Sequence, residues 1–478
     1  MFLPKIKKPF DCVDASRQAS VLDCGSAGPD SKPSDFLRSR FGWGSSGSFR
    51  SLALPWLVSP GMKRVLTVIT VLVLSSFLTA ESFAKKLTVI LLANASTQNV
   101  IQGILQEYHQ QHPDIDFQVS ILPANGLLAK LNTLVTAGDY PDIVELTTAM
   151  IQTYADSALD LGSLTDPKAL LGQYLPAYQP FMISGQKIIG IPIEATINGL
   201  FYNKALFAKA GVTVPQNANE IWTWEQFKEA VAKVNKLPEC RMGVAFDCTP
   251  QRWSNLLYQA GGRWISANGD SFLPDAQPAV DALNFFRGLV QARLIPTSSW
   301  PGKTDGGQLF KTGVAAMLWS GNWQLRTFVS GGMPFPFGTT YFPKGAMRAA
   351  CPGGEFFLAF DRAQNRDDAG KLLLWWSQPS ITKHYLDKLG GSLLSPMTNL
   401  PMDYGKYTEY QKPMLADLGA TPSWVSEDLA RPALNLLQDD LLNELILCGT
   451  GRISAQQAVL DMRNLGNAEL QRERRGSR

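Results

Sequence analysis

The sequence has few of the residues from which catalytic and metal centres are usually built. Its 478 residues include three histidines, His109, His112 and His384, which are scattered along the chain. The sequence contains no His-Glu-x-x-His, no Walker phosphate-binding loop and no Cys-x-x-Cys, and no Gly-x-Ser-x-Gly follows residue 84. These absences argue against zinc proteases, P-loop nucleotide hydrolases, thioredoxin-type redox enzymes and esterases of the nucleophile-elbow type.

An excess of charge of one sign is also missing once the first 84 residues are set apart. The whole chain has 44 Lys and Arg against 41 Asp and Glu, and the first 84 residues hold ten and six of these, which leaves 34 basic and 35 acidic residues. A near-neutral chain has no electrostatic attraction for nucleic acid or for an anionic membrane. We therefore expect neither as a partner.

Residues 62–84 have the three zones of a secretory signal peptide. Lys63 and Arg64 are followed by sixteen uncharged residues, Val65 to Ala80, and then by Ser82-Phe83-Ala84. The small residues at 82 and 84 suit signal peptidase, so we predict cleavage after Ala84 and a periplasmic protein. The alternatives are a membrane anchor or a buried segment, but the apolar run is shorter than the roughly 20 residues of a spanning helix.

Residues 1–61 precede this segment and show no sustained period of either 2 or 3.6. They are rich in Gly, Ser, Pro and Arg, as in "GPDSKPSDFLRSRFGWGSSGSFRSLALPW". We interpret them as an over-extended gene start upstream of Met62, or as a disordered tail. Neither interpretation assigns chemistry to them.

Four cysteines remain beyond the signal peptide, and an even number in an exported chain suggests disulfides. Cys240 and Cys248 flank "RMGVAFD", and Cys351 with Cys448 would form the second bridge. Four cysteines allow three pairings, and the sequence alone does not choose among them.

The exported part begins with alternating strand and helix patterns. Apolar extended runs occur at 85–92, in "DFQVSIL" and at 143–146, and helical apolar spacing lies between them. This order predicts a parallel sheet with right-handed crossovers, in which ligands bind beyond the carboxyl ends of the strands. The polar residues predicted at those ends, as candidate ligand contacts, are Asn94, Ser96, Glu145 and Thr147.

The next segment, "GQKIIGIPIEATINGLFYNKALFAKAGVTVP", is the most informative. Asn203 is placed to cap a short helix that ends near Gly211. A second helix begins at "TWEQFKEAVAKV", where Thr223 and Gln226 have capping-box spacing.

These motifs resemble family 1 extracellular solute-binding proteins, the maltose-binding-protein-like, sugar-type receptors of ABC importers. The family pattern has Gly-x-Pro, then Tyr-Asn-Lys, a short helix ending in Ala-Gly, and a Thr-Trp-x-Glu/Gln-Phe helix start. The similarity extends over most of residues 85–465. Its other motifs here are "TAGDYPDIVEL", "LYQAGGRWI", "FKTGVAAMLWSGNWQLRTF", "CPGGEFFLAF", "AGKLLLWWSQP" and "GTGRISAQQAV".

The resemblance implies an α/β fold of the type II periplasmic-binding-protein kind. It has two α/β lobes joined by hinge crossovers, with a ligand cleft between them. We place the crossings near 194–199, 353–355 and 396–403. The expected N-terminal lobe is then 85–195 with 355–400, and the expected C-terminal lobe is 196–354 with 401–470.

The resemblance also implies the ligand contacts. Trp323, in "SGNW", matches a family Gly-x-Trp position that stacks on a sugar ring, and its alternative is a core role. Trp253 and Trp300 are weaker candidates with the same alternative. The hinge and loop residues that we add, each with a structural alternative such as capping or a plain turn, are Glu194, Thr196, Asn198, Asp305, Gly354 and Glu355.

The expected function is that of a monomeric receptor which binds a mono- or oligosaccharide and delivers it to an ABC permease. We expect no catalysis, no cofactor and no metal. The alternative cargoes are glycerol 3-phosphate, a glycerophosphodiester or a polyamine, and a phosphate would need arginines such as Arg252, Arg263, Arg326 and Arg348. An exported glycoside hydrolase is the remaining alternative, although no local motif supports one.

Overall fold

The computed structural model of the protein describes residues 84–94, 97–302 and 304–476. The predicted signal peptide lies outside these ranges except for Ala84, and residues 1–61 and Ser96 lie outside them entirely. No helix in the described ranges is both long enough and apolar enough to cross a membrane.

The described chain contains strands and α-helices, which alternate in its first part and end in a run of helices. The strands are β1 (Lys85–Leu92), β2 (Ile115–Leu122), β3 (Ile143–Thr147), β4 (Ile183–Ser184), β5 (Lys187–Ile188), β6 (Ile191–Pro192), β7 (Thr196–Asn203), β8 (Met242–Phe246), β9 (Ala315–Gly321), β10 (Phe337–Thr340), β11 (Pro352–Gly353) and β12 (Glu355–Ala359). The helices are α1 (Gln98–Gln111), α2 (Ala124–Ala137), α3 (Pro167–Gly172), α4 (Gln179–Met182), α5 (Lys204–Lys209), α6 (Trp224–Asn235), α7 (Pro250–Gln259), α8 (Ala276–Gln291), α9 (Gly306–Lys311), α10 (Gln324–Ser330), α11 (Arg366–Trp376), α12 (Pro379–Lys388), α13 (Thr408–Ala420), α14 (Trp424–Leu429), α15 (Pro432–Leu436), α16 (Gln438–Gly449) and α17 (Ala455–Gly476).

The first sheet has the strand order β2-β1-β3-β12-β6. Strands β1, β2 and β3 are parallel, with Val89 opposite Ile143, while β12 runs antiparallel to β3 and β6. The first four residues of β3 are buried, as expected for a central strand with helices on both faces. The predicted strand–helix–strand–helix–strand order of this region is confirmed.

The second sheet has the strand order β10-β7-β9-β8, and β11 pairs with the start of β7. Strands β8 and β9 are parallel, so their carboxyl ends lie at the same edge. The core of this lobe is aromatic: Trp319 on β9 packs 5.2 Å from Phe246 and 4.6 Å from Phe342, measured between ring centroids. Such packing stabilises the sheet that carries the cleft residues.

Two caps predicted from the sequence are confirmed in this lobe. The Oδ1 atom of Asn203 accepts hydrogen bonds from the backbone N–H groups of Ala205 and Leu206 at the start of α5. Thr223 and Gln226 form the reciprocal capping box of α6. Each cap satisfies backbone donors that the first helical turn leaves without an intrahelical partner.

The chain passes between the two sheets by short crossings, so the molecule has two α/β lobes. The first crossing joins β6 to β7, and the second joins β11 to β12 through Gly354. The two crossings touch: a Cβ at Gly354 would lie 2.4 Å from the carbonyl oxygen of Glu194. A third passage follows the bridge between Ala195 and Leu394 and leads to α13, which packs on β7 and β10.

The expected disulfides Cys240–Cys248 and Cys351–Cys448 are wrong, because no disulfide joins these four cysteines in the described part of the chain. Cys240 and Cys248 stand at opposite ends of β8, whose five extended residues span roughly 16 Å at about 3.3 Å each. A disulfide requires Cα atoms within about 7 Å. The Sγ atom of Cys351 lies 3.5 Å from the carbonyl oxygen of Gln251, whereas Cys448 lies in the last turn of α16.

Candidate functional site

A narrow pocket with about 20 Å³ of accessible space lies between the two lobes. The first lobe contributes Thr148 and Ala149, which follow β3, and Phe181 on α4. The second lobe contributes Gln251, Ser254, Pro352, Leu429, Leu434, Asn435 and Gln438. Side chains from two lobes converging on one pocket are the usual arrangement for a small-molecule site.

The lobes are in contact around this pocket. The 3₁₀-helix Ile151–Ser157 of the first lobe packs against α15 of the second, and α4 packs against α14. A Cβ at Gly353 would lie 3.7 Å from the Nε2 atom of Gln251 and 3.8 Å from the Oγ1 atom of Thr148. The structure therefore represents a closed arrangement of the two lobes.

A charged and aromatic group stands at the carboxyl edge of β8 and β9, next to the pocket residue Gln251, to which Arg252 donates at 2.7 Å. Asp247 follows β8, and its Oδ2 atom accepts hydrogen bonds from Arg252 Nε at 3.2 Å and Ser320 Oγ at 3.3 Å. The guanidinium carbon of Arg252 lies 4.5 Å from the ring centroid of Trp323. Asp247 balances the charge of Arg252, so the group offers donors and acceptors without net charge.

Trp323 reaches this edge because Gly321, the last residue of β9, has no side chain. A Cβ at Gly321 would lie 1.9 Å from a ring carbon of Trp323. The indole is half-buried, unlike the other tryptophans that we predicted as ligand contacts. Its contact with a solute stays a prediction.

The structure does not support Trp253 and Trp300 as ligand contacts, because both side chains are 0% exposed. Trp253 lies on α7 and packs 5.4 Å from Trp264, while Trp300 packs 4.8 Å from Phe286. Both rings are part of the hydrophobic core of the second lobe. The core role that we considered as the alternative is the correct one.

Three further predicted contacts lie in the second lobe. Thr196 and Asn198 lie on β7 near the second crossing, where Asn198 Nδ2 donates to the carbonyl oxygen of Cys351 at 3.2 Å. Asp305 caps α9, with its Oδ1 atom accepting from the backbone N–H of Gln308 at 3.2 Å. Asp305 is therefore explained by its role as a helix cap, which was the structural alternative to ligand contact.

Asn94 and Thr147 lie at carboxyl ends of the first sheet, as predicted. Asn94 follows β1, and its carbonyl oxygen accepts from the backbone N–H groups of Thr97 and Gln98 at the start of α1. Thr147 ends β3, is half-buried and stands opposite Glu355 in the sheet. Both are therefore on the side of the first lobe from which the pocket residue Thr148 comes.

Three glutamates that we predicted separately meet beside the hinge. Glu145 is fully buried on β3, and its Oε2 atom accepts from the backbone N–H of Leu92 at 2.8 Å. Glu194, in the first crossing, accepts a 2.7 Å hydrogen bond from the hydroxyl of Tyr385. Glu355 begins β12 beyond the second crossing. We call Glu145, Glu194 and Glu355 the hinge carboxylates.

The environment of Glu145 and Glu194 favours their protonated forms. Burial raises the pKa of Glu145 well above its usual range, and the charge of Glu355 and a hydrogen bond with it raise that pKa further. Burial and the charge of Glu355 likewise raise the pKa of Glu194, against the hydrogen bond from Tyr385. Carboxylates in a low-dielectric site cannot all ionise together.

Two oxygens of the cluster show why a proton is needed. Glu145 Oε1 and Glu355 Oε2 are buried, and neither has a hydrogen-bond partner when both groups are carboxylates. A carboxylate only accepts, whereas a protonated carboxyl also donates. A proton on Glu145 thus creates a hydrogen bond to Glu355 where two acceptors would otherwise face each other.

We expect Glu145 and Glu194 to make the free energy of unfolding fall as pH rises. Because the pKa values of Glu145 and Glu194 are raised on folding, the stabilisation is complete below the unfolded-state pKa of about 4.3 and is lost as pH rises through the folded-state values. Urea unfolding of E145Q between about pH 5 and about pH 8 is expected to show a flatter pH dependence than the wild type, by up to about 1.4 kcal/mol per pH unit.

The matched control for this measurement is E409Q, which changes an exposed glutamate on α13. It is expected to keep the wild-type slope. Equal slopes for E145Q and the wild type would contradict a protonated Glu145.

Sequence reasoning missed Gln251 as a pocket residue and Asp247 as the partner of Arg252. A usable signal was present, because Asp247 directly follows the apolar run "MGVAF", and Thr249-Pro250 opens a helix. Residues between a strand and the next helix lie at the carboxyl edge of a sheet, where ligands bind.

Comparison with known proteins agrees with this architecture. The family described as bacterial extracellular solute-binding protein matches residues 94–382. The lactose-binding protein of Rhizobium radiobacter is 25% identical over 330 residues, which cover 66% of this chain and 74% of that protein.

Two solved structures share the fold. The ABC substrate-binding protein from Listeria monocytogenes in complex with cycloalternan has a TM-score of 0.70 at 20% identity and covers 81% of this chain and 99% of its own. The cyclic alpha-maltosyl-1,6-maltose binding protein from Arthrobacter globiformis has a TM-score of 0.67 at 20% identity and covers 81% and 100%. With the family match extending over more than half of its length, the chain belongs to the bacterial extracellular solute-binding proteins.

Proposed function

We propose that the protein is the extracytoplasmic receptor of an ABC importer and that it binds a carbohydrate in the cleft between its lobes. The observation that carries the proposal is the inter-lobe pocket together with the neighbouring group of Trp323 and the charge-balanced Arg252–Asp247 pair. Arg252 connects this group to the pocket, because it donates a 2.7 Å hydrogen bond to Gln251 Oε1. The apolar face of a sugar ring packs on an aromatic ring, and its hydroxyls need both donors and acceptors. The names of relatives that bind lactose or cycloalternan support this choice.

The proposal includes a location and an organisation. The protein is exported by cleavage near Ala84, works in the periplasm as a monomer and delivers its solute to a membrane permease. Its N-terminal lobe comprises residues 85–195 and 355–400, and its C-terminal lobe comprises 196–354 and 401–470.

Lobe closure supplies the binding mechanism. Solute held by one lobe gains the contacts of the other on closing, so it favours the closed state by the difference in its affinity for the two states. A micromolar affinity corresponds to about −8 kcal/mol in total. No bond of the solute breaks in this cycle.

The pairing of the arginines favours a neutral solute over a phosphate ester. Arg252, at the cleft edge, is bound to Asp247, and Arg348 is bound to Asp417 at 2.9 Å. Arg263 stacks on Trp424, with 4.9 Å between its guanidinium carbon and the ring centroid. An anionic cargo would have to compete with Asp247 for Arg252 and with Asp417 for Arg348.

The proposal is tested by calorimetric titration with a panel of neutral mono- and oligosaccharides, glycerol 3-phosphate, a glycerophosphodiester and spermidine. We expect saturable, one-to-one binding of at least one saccharide, which is recovered unchanged. If only the phosphate compounds or only the polyamine bound, the cargo would be that compound and not a saccharide. Turnover of a saccharide would indicate a hydrolase.

Replacing Trp323 with alanine is expected to weaken saccharide binding at least tenfold, equivalent to about 1.4 kcal/mol. The loss follows from removing the aromatic surface at the cleft edge. W222A is the matched control, because Trp222 is also half-buried in the second lobe but packs on Phe207 and Phe227. Unchanged affinity in W323A, or an equal loss in W222A, would argue against direct contact.

A further inference from the structure

The hinge carboxylates sit on the segments that must bend when the lobes move. Glu194 lies in the first crossing, and Glu355 is the first residue after the second crossing. Glu145 is on β3, which pairs with β12, the strand that starts at Glu355. Glu194 and Glu355 thus stand where the two crossings leave the first lobe, and Glu145 lies beside them on β3.

The two crossings are held side by side by backbone contacts. The N–H of Ile193 donates to the carbonyl oxygen of Glu355 at 2.9 Å, and the N–H of Thr148 donates to that of Gly354 at 3.1 Å. Gly354 packs directly on the carbonyl oxygen of Glu194. The separation of Glu194 and Glu355 therefore depends on how the two crossings are arranged.

We propose that the hinge carboxylates are a proton-binding site that couples lobe closure to pH. Protonation of Glu145 and Glu194 keeps the two crossings together in the closed arrangement, and ionisation of these two groups drives the crossings apart and favours the open arrangement. The ligand of this site is the proton, and no carboxylate of the cluster needs to touch the solute. The inference rests on the lobe closure in the proposed function but not on the identity of the cargo.

The groups that face the cluster make ionisation costly. Tyr385 on α12 donates to Glu194, and the charges of all three glutamates act on the buried Tyr385. Tyr178, which precedes α4, is also buried, and the charge of Glu194 adds to burial in raising its pKa. Its hydroxyl donates to the carbonyl oxygen of Thr196 at 3.0 Å. The charged and titratable groups that act most strongly on these carboxylates are thus acids and phenols, so like charges on adjacent segments repel at low dielectric.

The raised pKa values of Glu145 and Glu194 support a proton held by this site above the pH range in which a glutamate usually ionises. For each proton released on opening, the ratio of open to closed molecules changes up to tenfold per pH unit. The closed contacts around the pocket are those of the protonated form. A change of pH on the outside of the cell would then alter apparent solute affinity without any change in the cleft residues.

The test is small-angle scattering of the solute-free, purified protein from about pH 5 to about pH 9. We expect the radius of gyration of the wild type to increase with pH. The double variant E145Q/E194Q is expected to keep the low-pH value throughout, because its amides cannot ionise. E409Q changes an exposed glutamate on α13 and is expected to keep the wild-type response.

A wild-type radius that does not change with pH, or a double variant that changes as the wild type does, would overturn the proposal. If the double variant does not fold, infrared spectroscopy of the wild type decides. At about pH 7.5, above the pKa of about 6 to which burial raises Asp417 and Asp428, a protonated carboxyl band is expected. Its absence would also overturn the proposal. Neither measurement uses a solute, so failure of saccharide binding remains a separate result.

Discussion

Replacing Trp253 with alanine is expected to lower the free energy of unfolding by about 3–5 kcal/mol. The Trp253 side chain is 0% exposed and packs against Trp264, whose ring in turn packs on Phe272. Alanine would leave a cavity that the surrounding aromatic residues fill only in part, and the loss of burial adds to its cost. Urea unfolding followed by circular dichroism measures the effect.

W323A is the matched comparison for W253A, since both residues are tryptophans of the second lobe. Trp323 is half-buried at the cleft edge, so its replacement is expected to cost less stability than that of Trp253. W253F keeps an aromatic ring and is expected to be intermediate if W253A does not fold. If W253A had wild-type stability but lost solute binding, Trp253 would be a ligand contact after all.

The contrast between these tryptophans shows what the sequence could not decide. Helical spacing tells which residues share a face of α7, but not whether that face points to the cleft or to the core. Trp300 lies in the polar stretch "TSSWPGKTDGG", which favours exposure, yet its ring packs on Phe246 and Phe286. For Trp323 the sequence holds a local explanation of the ring's position, because Gly321 lies two residues earlier and leaves room for the ring.

The fold was largely predictable, because its signals are local or are carried by ordered motifs. Strand β1, the cap at Asn203 and the capping box at Thr223 follow from residue types and spacings that act within a few positions. The hinge carboxylates were each predicted as ligand contacts from their places at strand ends and crossings. That they would meet depends on pairing between β3 and β12, which are far apart in the sequence.

The disulfide predictions failed for a related reason. An even number of cysteines in an exported chain suggests that disulfides can form, but it does not say which cysteines lie close together in space. Cys240 and Cys248 are close in sequence, but the strand between them is extended and separates them. Residues near each other in a chain are near in space only where the chain turns.

Replacing Asp428 with alanine is expected to lower the free energy of unfolding by about 2–6 kcal/mol, because each buried N–H left without an acceptor costs about 1–3 kcal/mol. Asp428 on α14 accepts from the backbone N–H groups of Trp264 at 2.7 Å and Ile265 at 2.8 Å, and from the hydroxyl of Tyr258 at 3.0 Å. One carboxylate thus fixes α14, which borders the pocket through Leu429, to the loop after α7.

Two further variants separate the parts of this contact. Y258F removes only the hydroxyl donor and is expected to cost about 0.5–1.5 kcal/mol. D428N keeps one acceptor oxygen and is expected to cost less than D428A. Unfolding free energies from urea titration give all three values.

The pH dependence of D428N follows from the pKa of the aspartate. Burial raises the pKa of Asp428 to about 6, against its hydrogen bonds and the charge of Arg263. The stabilisation linked to that raised pKa is complete below the unfolded-state value of about 3.9 and is lost as pH rises through about 6. An asparagine does not ionise, so the cost of D428N relative to the wild type is expected to be smaller at about pH 8 than at about pH 5. A cost that grows with pH would mean that the ionised carboxylate is the form that holds α14 in place.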